Sequence, residues 1–180
     1  KQRARKTIER PGGIVEDRFY LGAFEVFRKT AAGLTILERE TLHVMDDKDR
    51  VAMIDTPVIK PGGSTETQLI RYQYSNHLGS SSIELDDAAQ VISFEEYFPF
   101  GTTSFATIDA TREVAAKRYR YTAKERDEES GLNYHEARYY APWLCRWTAA
   151  DPAGLADGPN LYRYSRNQPI NLSDPGGKCP

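Results

Sequence analysis

Two aspartates in the last third of this 180-residue chain stand where they could do chemistry together. Asp151 opens Asp151-Pro152-Ala153-Gly154, and Asp174, 23 positions on, opens Asp174-Pro175-Gly176-Gly177. A proline pushes the residue before it toward extended backbone, and a glycine closes the turn without strain, so both carboxylates should project from stiff, sharp bends. If the fold brings the two together they cannot both ionise cheaply: one pKa rises and the pair shares a proton. Such a dyad can activate water with one member and protonate a carbonyl or a leaving amine with the other, titrating as a unit. Taken alone, an Asp-Pro turn is more often just a turn. The elements around these residues decide between the two readings.

Other reactive side chains give weaker patterns. Arg138 is a candidate electrostatic partner, because a guanidinium beside a dyad keeps one carboxylate ionised and orients it through a bidentate bond. Its plain alternative is stacking among the neighbouring Tyr and Trp residues. Lys124, Arg126 and Asp127 form a second charged cluster, better suited to cross-linking hairpins than to catalysis, and Asp157 in Ala156-Asp157-Gly158-Pro159 reads as a turn residue. His43, His77 and His135 are too scattered for a metal-ligand argument, so no cofactor or metal is expected. The two cysteines, Cys145 and Cys179, make at most one bridge and read as unpaired thiols. With no histidine close to Cys145 in sequence, cysteine-protease chemistry is a poor fit. Asn171-Leu172-Ser173 matches a glycosylation acceptor, but the pattern is short and common.

Composition narrows the classes further. A formal charge of −2, with 28% charged and 39% hydrophobic residues, argues against nucleic acid as the main partner and against disorder. The basic start (Lys1, Arg3, Arg5, Lys6, Arg10) is broken by Glu9 and reads as a solvated end. No apolar run approaches the roughly 18 residues of a membrane span. The abrupt opening and the ending on Cys179-Pro180 suggest a fragment excised from something longer.

The elements that must position the aspartates are strands. Short β-rich runs with turn punctuation recur, and long helical periodicity is absent apart from a weak possibility at 111–117. Phe19 to Phe27 reads as one run with Gly22 inside it. Thr41–Met45 and Val51–Ile54 read as a hairpin around Asp46-Asp47-Lys48-Asp49. Tyr72 to Tyr74, Ser82 to Leu85 and Val91 to Phe98 read as further strands. Met45-Asp46-Asp47 and Leu85-Asp86-Asp87 repeat 40 positions apart, each an apolar residue, a polar turn and then a β-branched residue opening a new strand. Hairpins of this kind stack edge to edge, since one alone cannot bury its apolar face. Residues 57–67 and 102–116 read as interruptions. From Arg118 on, Tyr and Trp crowd among Arg, Asp, Gly and Pro, a composition that suits neither an amphipathic helix nor a plain strand. Tyr139, Tyr140, Trp143, Trp147, Tyr162 and Tyr164 read as packing material.

These residues resemble the RHS/YD-repeat proteins, and specifically the RHS repeat-associated core, as in the C components of insecticidal toxin complexes. The resemblance is carried by Arg118-Tyr119-Arg120-Tyr121-Thr122, Lys124-Glu125-Arg126-Asp127, Gly131-Leu132, Ala137-Arg138-Tyr139-Tyr140, Pro142-Trp143-Leu144, Arg146-Trp147, Asp151-Pro152-Ala153-Gly154-Leu155, Asn160-Leu161-Tyr162-Arg163-Tyr164, Asn167, Pro169 and Asp174-Pro175. Tyr20-Leu21-Gly22, Arg39 to Val44 and Asn76 to Ser80 fit the preceding repeats. It implies a mainly β fold: antiparallel β-hairpin repeats forming part of a shell, with an irregular aromatic-rich C-terminal plug. The implied divisions are terminal YD-type repeats over 1–117, the core over 118–178, and 179–180 beyond a cleavage point.

The resemblance also implies an intramolecular aspartyl autoprotease that works once, using Asp151 and Asp174 with Arg138 in support. It would cut after Lys178 in the Gly177-Lys178 pair and free a C-terminal toxin enclosed by the shell. The implied partners are the remainder of the shell, that toxin and a toxin-complex B component, and the implied setting is secretion or extracellular delivery by a bacterium. Lys178 stands where the family usually has Leu, and Cys145 where it usually has Gly, a position that favours positive φ. Two rival readings are a non-catalytic shell segment that only encloses or binds a partner, and a carbohydrate-binding repeat protein resting on tyrosine density.

Overall fold

The computed structural model describes residues 3–60, 62, 67–109 and 117–178. Antiparallel strand dominates, in agreement with the mainly β expectation, and among the described residues the helical content is confined to short 3-10 turns. The chain divides into two compact units, Gln2–Gln73 with Asp86–Gln90, and Tyr74–Leu85 with Val91–Pro180.

The first unit is built on a meander. Strands β1 (Arg5–Arg10), β2 (Ile14–Leu21), β3 (Phe24–Ala31), β4 (Leu34–Asp46), β5 (Asp49–Ile59) and β6 (Leu69–Ser75) each pair antiparallel with the next. The run expected over Phe19 to Phe27 is two strands. Gly22, at φ +70°, turns the chain between β2 and β3, a backbone state that permits a tight hairpin and disfavours a continuous strand. The Asp47-Lys48 turn closes β4 onto β5 as expected, and Asp47 sits at φ +52°. Residues 57–59, expected as loop, extend β5 instead. Pro57 lies opposite Arg39 at a register shift between Glu38 and Arg39, the kind of place where a strand tolerates a residue with no N–H.

Burial in this unit is inverted relative to a simple amphipathic sheet. Glu25, Thr41, His43, Asp55, Arg71 and Gln73 are buried, while Leu42, Val44 and Tyr72, on alternate positions, are exposed. The buried charges persist because they meet across strands: Arg18 Nη1 lies 3.3 Å from Glu25 Oε2, His43 Nε2 3.0 Å from Glu25 Oε1, and Arg71 Nη2 2.9 Å from Asp55 Oδ2. Thr41 donates to the other Asp55 oxygen at 2.6 Å. Without such partners each ion would carry a desolvation penalty of several kcal/mol. In the repeated turn at Asp86, the carboxylate accepts the N–H groups of Ala88 and Gln90, the local bonding that acidic turn residues provide.

In the second unit, β7 (Ser81–Leu85), β8 (Val91–Tyr97) and β9 (Thr103–Ile108) pair in sequence order. Strand β9 corrects the expected interruption at 102–116: Thr103, Thr107 and Ile108 are β-branched and pair along β8. The expected helical possibility at 111–117 falls outside the described residues except for Lys117. A four-stranded sheet follows, of β10 (Glu125–Asp127), β11 (Leu132–His135), β12 (Arg138–Ala141) and β13 (Arg146–Trp147), again in sequence order and antiparallel. Beyond Trp147 the backbone is irregular, with 3-10 turns at Gly154–Asp157 and Ser165–Asn167.

An aromatic core substitutes for regular structure here. Tyr121, Tyr140, Trp147 and Tyr164 cluster with almost no exposure, and Tyr97 and Phe100 pack against them. Tyr140 and Tyr164 stack at 4.1 Å between centroids, and the Tyr140 hydroxyl donates to the Phe100 carbonyl at 2.8 Å. Large rings lose little side-chain entropy on burial, and a hydroxyl that finds an acceptor removes the cost of burying it. Trp143 and Tyr162, expected inside, are exposed: Trp143 sits on the 3-10 turn that follows Pro142, and its ring lies over Gly131 instead.

Gly101, at φ +86°, reverses the chain between β8 and β9, and a Cβ there would lie 2.5 Å from the Tyr121 ring. Gly101→Ala should cost about 2 kcal/mol or more, combining left-handed strain with overpacking of the core. Denaturant unfolding of the two chains, followed by aromatic fluorescence, checks this; an unchanged midpoint would contradict it.

Candidate active site

The β11–β12 hairpin and the two Asp-Pro turns build one polar site against the aromatic core. Glu136 and Ala137 form the tight hairpin turn, so His135 and Arg138 end facing strands as a register pair. Both are buried, and Arg138 lays its guanidinium over the Trp147 ring at 4.1 Å. That contact fixes the plane of the fork and covers a face that would otherwise need solvent.

The fork then gathers the rest of the site. Arg138 Nη2 lies 2.8 Å from Asp151 Oδ2 and 3.2 Å from Asp174 Oδ2, so one nitrogen serves both carboxylates. Nη1 donates to the Leu161 carbonyl at 3.3 Å, and the same carbonyl accepts the Asp151 N–H at 2.9 Å, which ties the first turn to the arginine. Nε donates to the Gly177 carbonyl at 2.7 Å. Asp174 is buried, with its other oxygen accepting the Lys178 N–H at 3.1 Å. Asp151 is half-buried, and its Oδ1 accepts the Ala153 N–H at 2.8 Å. The Gly177-Lys178 peptide is therefore held at both ends, its C=O by the cation and its N–H by a carboxylate.

All of the residues singled out in the sequence thus meet: Asp151, Asp174, Arg138, Gly177 and Lys178. They meet through a cation, which differs from a pair joined by a shared proton alone. Gly177 is at φ +64°, and a Cβ on it would stand 2.6 Å from the His135 carbonyl oxygen, so no larger residue fits the bend. Lys178 is exposed. Cys145 is exposed and adopts φ +55°, the left-handed state that the family resemblance implied for this position. The Lys124–Asp127 cluster lies on or beside β10, and Asp157 pairs with Arg166 Nε at 2.6 Å. Among the described residues no group of His, Cys, Asp and Glu could hold a metal ion.

Sequence reasoning missed His135. Its Nδ1 lies 2.8 Å from the Asp174 carbonyl, and its ring is enclosed by Trp147, Tyr140 and Tyr164. The available signal was its spacing to Arg138 across a two-residue turn, which puts both at the mouth of one hairpin.

The chain is similar over most of its length to large proteins. It is 41% identical to "Toxin subunit YenC2" of Yersinia entomophaga over 170 residues, 92% of this chain and 17% of that protein. It is 50% identical to "Toxin subunit YenC1" of the same organism over 111 residues, 62% of this chain and 11% of that protein. The crystal structure of TcdB2-TccC3 without its hypervariable C-terminal region superposes with a TM-score of 0.88 at 34% identity, covering 96% of this chain and 8% of that one. This chain belongs to the RHS/YD-repeat proteins and carries the RHS-associated core. Its mainly antiparallel β fold agrees with an RHS shell-like fold. No family model matches the chain. It spans less than a fifth of the length of these relatives.

The RHS core sets a titration that stability measurements can read. Burial pushes the His135 imidazole from its ordinary 6.5 down to about 3; the Lys124 and Arg138 charges act in the same direction, and the hydrogen bond to the Asp174 carbonyl opposes them. The folded chain therefore refuses a proton that the unfolded chain accepts below pH 6.5. The stability that this neutral imidazole contributes is complete above that pH and is lost as pH falls toward about 3, with a limiting slope near 1.4 kcal/mol per unit. Denaturation midpoints from pH 7 to pH 4 should fall more steeply for the wild-type chain than for His135→Asn. Parallel curves would contradict the assignment.

Proposed function

We propose that this chain is the closing part of a toxin-associated RHS shell and that it cuts its own backbone once, after Lys178, by aspartyl chemistry. The observation that carries this reading is the Arg138 guanidinium, whose Nη2 is shared by Asp151 and Asp174 while its Nε holds the Gly177 carbonyl. In the proposed reaction one carboxylate takes a proton from water, and the resulting hydroxide adds to the Lys178 carbonyl carbon. The other carboxyl gives its proton to the departing amine, the C–N bond breaks, and a Lys178 carboxylate and a new N-terminus result. The two aspartates act as one titrating unit, so the roles belong to the pair.

Arg138 keeps one carboxylate of the pair ionised, so that it serves as the base while the other holds the proton. The Lys178 N–H bond to Asp174 ties the residue that precedes the proposed cut to one member of the pair. Because the substrate is tethered, no separate recognition site is needed and one turnover suffices. Residues 1–117 supply terminal repeats, 118–178 the core that cuts, and 179–180 the first residues of the released segment.

The partners in this reading are the remainder of the shell, a C-terminal toxin enclosed by it and a toxin-complex B component, with delivery outside the producing cell. Support comes from relatives named as toxin subunits and from the match to TcdB2-TccC3, whose C-terminal region is described as hypervariable. No helix among the described residues is long and apolar enough to cross a membrane. A second reading, a purely structural plug, is favoured by one observation: both oxygens of Asp174 already have partners, as in a buried ion network that only fastens the turn.

Expression of the parent chain continuing past Pro180 separates the two. The wild type should yield two pieces whose intact masses place the cut after Lys178. Asp151→Asn and Asp174→Asn should each reduce release by at least about a hundredfold, within the range that acid–base groups supply. Release that persists in both variants would remove the dyad, and a wild-type chain left intact across acid to neutral pH would support the structural reading.

A further inference from the structure

We propose that His135 is a positioning residue for the cut, acting through its Nδ1–H bond to the Asp174 carbonyl; this rests on the autoproteolytic reading above. The bond is 2.8 Å long and joins two fully buried residues. A carbonyl oxygen only accepts, so Nδ1 must carry the proton and Nε2 must be the bare nitrogen. Nε2 has no hydrogen-bond partner among the described residues. Instead the ring meets Trp147 edge-on at 5.0 Å and 90°, Tyr140 at 6.0 Å and Tyr164 at 6.1 Å. An imidazole with one nitrogen committed to a backbone carbonyl and the other enclosed by aromatic rings is badly placed to pass protons to a substrate. It is well placed to hold something still.

What it holds is the bend that presents Asp174. The β11–β12 hairpin grips this bend at three carbonyls within four residues: His135 Nδ1 on Asp174, the Ala137 N–H on Gly176 at 3.4 Å, and Arg138 Nε on Gly177 at 2.7 Å. The first and last grips come from the register pair that ends β11 and begins β12. The His135 bond fixes where the bend begins and the Arg138 bond where it ends. Between them the Asp174 carboxylate has one position from which it reaches both Arg138 and the Lys178 N–H. Without the first grip the bend would keep its far anchor and swing at the Asp174-Pro175 end. Displacements near 1 Å can cost about a hundredfold in a reaction that depends on alignment.

Two substitutions in the full parent chain separate hydrogen bonding from packing. His135→Asn keeps an N–H donor near the Nδ1 position but empties part of the aromatic cage. His135→Phe fills the cage and donates nothing. Positioning predicts that Asn retains single-turnover release within about tenfold of wild type and that Phe loses about a hundredfold, whatever the order of their melting temperatures. Wild-type release in the Phe variant, or equal losses in both, would overturn it. A second readout does not need cleavage. With Asp151→Asn added to keep the tail attached, hydrogen exchange of peptides covering 174–178 should be at least about tenfold faster in the Phe variant and near the parent rate in the Asn variant. Unchanged protection in the Phe variant would overturn the positioning role even if the parent chain never cuts itself. A wild type that fails to cut, with the exchange result as expected, would remove the autoprotease and leave His135 as the anchor of the turn.

Discussion

A single guanidinium holds the C-terminal unit's chemistry together. Arg138 touches both aspartates, the Leu161 carbonyl and the carbonyl of the tail, and it lies against Trp147. Two carboxylates in a largely dry site repel each other, and burying either without compensation would cost several kcal/mol. A planar cation with donors pointing in fixed directions resolves both problems and sets the geometry while doing so. A lysine would offer charge without direction, so the arrangement of the turns depends on arginine specifically.

That guanidinium is itself held by the aromatic core. Tyr121, Tyr140, Trp147 and Tyr164 form a rigid block where the chain has little regular secondary structure, and the rings that enclose His135 include the one under Arg138. Packing and chemistry therefore share side chains: Trp147 is at once core, cage wall and cation platform. This explains why so irregular a segment, mostly 3-10 turns and bends after Trp147, can hold a polar site in register. The first unit solves a different problem with a related device. Its buried charges pair across neighbouring strands, Glu25 with Arg18 and His43, and Asp55 with Arg71, leaving alternate apolar side chains on the exposed face.

Much of this was legible in the residues. The strands betrayed themselves through β-branched runs and turn residues, and the Asp46 and Asp86 turns fell where acidic side chains can bond to nearby backbone. The Asp-Pro pairs and Arg138 stood out through the family resemblance, since the same dipeptides alone mean only turns. The errors were local. Gly22 read as lying inside one run but reverses the chain, because φ is invisible in a one-letter code. Pro57 looked like a loop signal but sits at a bulge, because only the partner strand decides whether an N–H is missed. Trp143 looked like core, but Pro142 turns it outward.

The sequence by itself determined the class of fold and the inventory of reactive groups: antiparallel hairpins, two stiff acidic turns, one arginine and a glycine-rich tail. These follow from properties that each residue carries wherever it sits, such as a fixed proline φ, a β-branched side chain or a permanent charge. Tertiary structure alone decided that the two carboxylates meet through a cation, that the Gly177-Lys178 peptide is held by that cation and by Asp174, and that a histidine dismissed as scattered bonds to the Asp174 turn. Those facts depend on distances between residues dozens of positions apart, fixed only when the aromatic core has packed and the β11–β12 hairpin has closed over the tail.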